Sequence, residues 1–106
     1  MNTDTEFLKA AESEMAALED WLESTLDEAD CLRNGNVLTI ELENGESVVI
    51  NIQTPMHEIW CASRFGGFHF ILTDDGRWRD KHTDRTLEAA VADALGRFGA
   101  EVGAVP

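Results

Sequence analysis

A chain of 106 residues with 43% hydrophobic content holds enough apolar material for one modest core and too much for disorder. Its formal net charge of −13 excludes DNA, RNA and anionic membranes as partners and favours cations and basic protein surfaces. The charge is concentrated: residues 1–46 carry 13 of the 21 acids, with only Lys9 and Arg33 as bases.

Cys31 and Cys61 form no C-x-x-C pair, which fits a reducing compartment. Around Asp4 and Glu6 there is no basic-plus-apolar signal segment, and no apolar run nears the roughly 20 residues of a membrane span. The expectation is a cytoplasmic, soluble, single domain over 1–106.

In chain order, residues 5–26 predict a helix. Phe7, Ala11, Leu18, Leu22 and Thr25 recur at three- and four-residue intervals, with Met15 and Leu26 close by. Thr3 or Asp4 can cap its start. Its other side carries Glu12, Glu19, Asp20, Glu23 and then Asp27. Glu19, Glu23 and Asp27 fall at i, i+4, i+8, so like charges stack at a cost of a few tenths of a kcal/mol per pair. A helix built only for stability would intersperse lysines there.

Asn34-Gly35 predicts a turn, and Val37–Glu43 then alternates with Leu38, Ile40 and Leu42 inward. Glu43-Asn44-Gly45 is the next turn. A two-residue loop would place Asn51 in the core, whereas a three-residue loop with a left-handed Gly45 pairs Ile40 with Val48 and Leu38 with Ile50. The second register leaves Thr39, Glu41, Val49, Asn51 and Gln53 outward. Pro55 ends that strand because it cannot donate to a ladder.

A third strand is expected over 57–63, with Ile59 and Cys61 inward and Glu58, Trp60, Ala62 and Arg64 on a wet outer face. After a turn at Gly66-Gly67 comes a strand with Phe68, Phe70 and Leu72 inward, then a short strand at Arg77-Trp78-Arg79. A closing helix begins near Thr86, with Leu87, Ala90, Val91, Ala94, Leu95 and Phe98 as its stripe, and ends at Gly99. The predicted fold is α+β: a two-layer sandwich of order α-β-β-β-β-β-α. Its antiparallel meander of about five to six strands carries both terminal helices on one face.

His57, His69 and His82 lack zinc-site spacing, and no nucleophile elbow, P-loop or Rossmann glycine pattern is present. Cys61 has core parity. Asp30 beside Cys31 disfavours a reactive thiolate. Two features therefore stand out. The carboxylate ridge offers oxygen ligands suited to calcium, magnesium, manganese or iron. An exposed ridge cannot close a cage, so a bound ion would keep most of its waters. On composition alone the same ridge reads equally as a solvated surface. Trp60 with Asn51 and Gln53 reads as a contact surface or, equally, as the cover of a sheet edge.

The run Val48-Val-Ile-Asn-Ile-Gln-Thr-Pro, with Ile59-Trp60 behind it and Gly66-Gly67-Phe-His-Phe70 beyond, resembles the signature region of the frataxin family in its bacterial branch. The acidic first helix, the Asp30-Cys31 entry to the sheet, the Glu43-Asn44-Gly45 hairpin and the closing helix follow in that family's order, over essentially the whole chain. The resemblance implies a non-enzymatic iron-binding protein of iron–sulfur cluster assembly, acting as iron donor or regulator. It implies weak Fe2+/Fe3+ binding, with other hard divalent cations able to compete, at Glu19, Asp20, Glu23, Asp27, Glu28 and Asp30. It implies docking on a cysteine desulfurase and its scaffold protein through Glu19 and Glu23 on the ridge and Asn51, Gln53 and Trp60 on the sheet. The family commonly has Gln next to the Ile59 position; here Met56-His57-Glu58 precedes it, and Glu58 is expected to make that corner more negative. A monomer is expected, with iron-driven oligomers left open. The alternative class is an acidic interaction module for a basic partner, with metal incidental. A ferroxidase would need an ordered di-iron site that a ridge does not supply.

Overall fold

The computed structural model describes residues 3–26 and 29–106. Helix α1 spans Asp4–Thr25. Thr3 closes its start as a capping box: its hydroxyl accepts from the Glu6 amide at 3.1 Å and donates to Glu6 Oε1 at 3.0 Å. Phe7, Ala11, Met15, Leu18 and Leu22 are buried along one stripe, so Met15 is a full core residue. The predicted helix is thus offset by one residue at each end.

Six strands follow: β1 Ala29–Asn34, β2 Val37–Leu42, β3 Ser47–Gln53, β4 Glu58–Ser63, β5 Gly66–Leu72 and β6 Trp78–Asp80. They form one antiparallel meander in sequence order. β1 adds an edge strand ahead of the predicted Val37 strand. Its burial pattern alternates only between half-buried and exposed, so no strong apolar face announces it. The hairpin register is the expected one: Ile40 faces Val48, Leu38 faces Ile50, and Gly45 adopts φ +86°. A 3-10 turn over Thr54–Met56 separates β3 from β4. The next reversal lies at Arg64-Phe65, while Gly66 and Gly67 already belong to β5; only Gly66, at φ +128°, needs glycine's freedom.

Helix α2, Leu87–Arg97, starts at a Thr86 cap that accepts from the Ala89 amide and ends at Gly99 with φ +88°. It buries Leu87, Ala90, Val91, Ala94 and Leu95. Both helices cover the same face of the sheet. Between the layers lie Leu38, Ile40, Val48, Ile50, Ile52, Ile59, Cys61, Phe70 and Trp78. Phe7 of α1 meets Trp78 edge-on at 5.9 Å. Among the described residues, no helix lies on the opposite sheet face.

Candidate functional site: an acidic ridge and an open sheet face

The ridge begins on α1, where Asp20 and Glu23 are exposed and Glu19 is half-buried. Asp30 continues it on edge strand β1, directly opposite Glu41 on β2. Two carboxylates at paired positions repel, and no described lysine or arginine is bonded to either. Glu23, Glu19 and Asp30 all act electrostatically on the Cys31 thiol, so helix and strand bring these acids around one point. Burial first, then these charges, push the thiol pKa up and disfavour its thiolate.

Arg33 changes the ridge from its expected form. Its guanidinium reaches Glu12 Oε1 at 2.6 Å and Glu19 Oε1 at 3.2 Å, and its Nε donates to the Gly35 carbonyl at 2.8 Å. Glu19 is therefore partly neutralised, while Asp20, Glu23 and Asp30 make no ion pair among the described residues. Asp27 and Glu28 lie outside the described residues. Among those described, no three His, Cys, Asp or Glu side chains converge into a metal cage.

On the open face, β3 and β4 place Asn51 directly opposite Trp60 and Gln53 opposite Glu58. The pairing continues from Trp60 to His69 on β5. The indole and imidazole stack at 4.4 Å with planes 7° apart. Trp60 is half-buried and Asn51 and Gln53 flank it as expected. Glu58, by contrast, is not wet: it is only 2% exposed. Trp60 Nε1 donates to its Oε1 at 2.7 Å, Lys81 Nζ lies 2.8 Å from Oε2, and His69 Nδ1 lies 3.3 Å from Oε1. Burial alone would raise the Glu58 pKa, but the bonds from Lys81 and Trp60 and the charges of Lys81 and His69 hold it below the usual carboxylate range. The corner expected to be more negative is thus internally compensated.

His57 sits at φ +51° and stacks on Phe7 at 4.8 Å, with Nε2 2.8 Å from Asp4 Oδ1. His82 is exposed in the turn after β6, and its amide donates to Asp80 Oδ1. Cys61 is 3% exposed, and burial pushes its thiol up to about 12. The residues that sequence reasoning missed are the partners: Arg33 for the ridge, His69 and Lys81 for Glu58, and Glu41 opposite Asp30. Arg33 carried a signal, being one of two bases among 13 acids in residues 1–46. Lys81 carried none, since only the β5–β6 register brings it to Glu58.

These features define an α+β sandwich with a carboxylate-rich first helix and edge and an open sheet face built around a stacked tryptophan. Residues 1–100 match the family model described as a frataxin-like domain. The "Iron-sulfur cluster assembly protein CyaY" of Ralstonia pickettii (strain 12J) is 45% identical over 94 residues, covering 85% of this chain and 82% of that protein. The protein of the same name from Paraburkholderia xenovorans (strain LB400) is 43% identical over 91 residues, covering 86% of each. Among solved structures, a frataxin from Psychromonas ingrahamii superposes with TM-score 0.86 at 28% identity, covering 94% of this chain and 95% of that one. Trimeric frataxin of Saccharomyces cerevisiae superposes with TM-score 0.69 at 25% identity, covering 83% of this chain and 77% of that one. The chain belongs to the frataxin family.

Proposed function

We propose that this protein serves iron–sulfur cluster assembly as a non-enzymatic, cytoplasmic adaptor that binds iron on its ridge and docks a cysteine desulfurase with its scaffold protein. The observation that carries the reading is that Glu23 and Asp30, neither in an ion pair among the described residues, act together with Glu19 on the one Cys31 thiol, with exposed Asp20 on the same helix. Hard carboxylate oxygens without thiolate or imidazole suit Fe2+ and Fe3+, and calcium or manganese should compete. An open ridge leaves most waters on the ion, so binding is weak and multi-site. Asp27 and Glu28 join the set through the family resemblance. The names of the Ralstonia and Paraburkholderia relatives support the cellular role.

The second surface is Asn51, Gln53 and Trp60, where an aromatic ring among hydrogen-bonding side chains suits a protein contact. Glu19 and Glu23 add electrostatic docking at the ridge. The rival reading, a docking module in which metal is incidental, predicts partner binding without site-specific iron shifts. An NMR titration with ferrous iron and then with the desulfurase separates them. Iron should perturb Glu19, Asp20, Glu23 and Asp30 and leave His57, His69 and His82 unmoved. Dominant shifts at a histidine, or uniform small shifts over all acids, would sink the iron-site proposal.

A further inference from the structure

Where the two helices finish, the core does not close fully. A cavity of about 380 Å³ opens there between the C-terminal ends of α1 and α2, the start of β1 and the β2–β3 turn. Its volume is that of a small-molecule site, far above the roughly 30 Å³ of one water. The floor is apolar: Leu26, Ala29, Leu42, Phe98 and Ala100 line it, all half-buried side chains packed against the margin of the core. Ala29 pairs with Leu42 on the helix-covered face of the sheet, so the cavity is separate from the Trp60 surface.

The walls hold themselves in place. Asn44 ties the β2–β3 turn to the end of α2: its Nδ2 donates to the Phe98 carbonyl at 3.3 Å, and its Oδ1 accepts from the Glu46 amide at 2.9 Å. The Phe98 ring rests on Phe65 at 4.7 Å. The Ala100 amide donates to the Leu95 carbonyl at 2.9 Å, which brings Ala100 and Glu101 to the rim. The charge at the mouth has one sign. Exposed Glu43 and Glu101 line it, and none of the described residues that line it is basic. Both helices turn their C-terminal, partially negative ends towards it. α1 has no base in its last turn, and Arg97 of α2 is turned aside, its Nε 3.2 Å from Asp93 Oδ2 and its guanidinium over the Phe65 ring at 5.3 Å.

We propose that this cavity binds a small organic cation, an arylalkylamine with one ammonium group. The aryl body lies on Leu26, Leu42 and the Phe98 ring, and the ammonium stays at the mouth, towards Glu43 and Glu101. Other ligand classes fit less well. A hard metal ion needs several converging oxygens, and among the described residues no three His, Cys, Asp or Glu side chains supply them. An anion would face two carboxylates and two negative helix ends. A neutral apolar molecule would use the floor alone and leave the field at the mouth unanswered. Only a molecule with an apolar body and a cationic head uses both features.

The test is an NMR titration of the unaltered protein with phenethylamine, phenethyl alcohol and phenylpropanoate, which share a ring and differ in charge. Phenethylamine should shift the amides of Leu26, Leu42, Phe98 and Ala100 saturably while Trp60 holds. Phenethyl alcohol should reach the same residues about tenfold more weakly, the order that two partly screened ion pairs supply. Phenylpropanoate should not bind. Ala100→Leu, which fills the cavity, should abolish the shifts. Glu101→Gln changes an exposed side chain and leaves the floor intact, so it tests the site even if Ala100→Leu fails to fold. It should weaken phenethylamine about threefold and leave phenethyl alcohol unchanged. Amine shifts confined to Asp20, Glu23 and Asp30 would mean counter-ion binding on the ridge and overturn the site. So would equal binding of amine and alcohol, or shifts that persist in a folded Ala100→Leu protein. None of these readouts involves iron or a partner protein.

Discussion

At Glu58 a carboxylate survives at 2% exposure because two donors meet it, the Trp60 indole and the Lys81 ammonium, with His69 Nδ1 3.3 Å away as well. Removing it leaves a buried N–H and an unpaired ammonium, so Glu58→Ala should cost about 2–3 kcal/mol in urea unfolding. Its depressed pKa contributes stability above the unfolded carboxylate range, and that part is lost as pH falls through the lower folded pKa. The Glu58→Ala protein should therefore show a flatter stability profile below pH 4.5; an unchanged acid limb would refute the compensation. Trp60→Ala removes a half-buried ring, its stack on His69 and one bond to Glu58, so a loss of about 1–2 kcal/mol is expected, below the ~3–5 kcal/mol of a core tryptophan. Charge reversal on the ridge should split by residue. Glu23→Lys relieves repulsion and should stabilise by a few tenths of a kcal/mol. Glu19→Lys breaks the 3.2 Å contact to Arg33 and should destabilise by up to ~1 kcal/mol. Equal effects from the two would show that the Arg33 contact carries no weight in solution.

The helices and the β2–β3 hairpin were legible in the sequence because burial there is one-sided and strongly periodic. Phe7, Ala11, Leu18 and Leu22 sit where their spacing puts them, and the choice between core and surface for Asn51 decided the loop of the hairpin. β1 was not legible as a strand, since Asp30, Leu32 and Asn34 are exposed and Ala29, Cys31 and Arg33 only half-buried. Side-chain partners set by distant registers were invisible too, which is why Glu58 read as wet. Glu14 was not legible either, because its burial and the influence of Glu88 come from tertiary packing that no spacing in the chain announces. Its consequence is a pH effect of unusual sign. A carboxyl whose folded pKa is raised binds its proton more tightly in the folded state, so its stability contribution falls as pH climbs from about 4.5 to about 8. Glu14→Gln removes that dependence and should raise stability at pH 8 by roughly 1–3 kcal/mol, with little gain at pH 5. Chemical denaturation at the two pH values checks it, and an equal gain at both would assign the effect to packing instead.

For the whole molecule, a net charge of −13 with its excess acids in the first half gives a field that points at one end and leaves the Trp60 face near local neutrality. Added salt should screen the repulsion among Asp20, Glu23, Asp30 and Glu41, and millimolar calcium or manganese should raise the unfolding temperature further by binding the folded ridge. Two surfaces of such different character should fail independently. Trp60→Ala should leave iron titration of the ridge intact and weaken the desulfurase–scaffold contact by loss of buried area, with little dependence on ionic strength. Glu19→Lys/Glu23→Lys should weaken both iron and desulfurase binding, and its docking defect should shrink from 50 to 300 mM salt because exposed charges are screened over about 10 Å at 0.1 M. Calorimetric titration of the two variants at both salt concentrations distinguishes the surfaces. If Trp60→Ala lost iron binding, or if both docking defects responded equally to salt, ridge and sheet would be one site and the adaptor reading would fall.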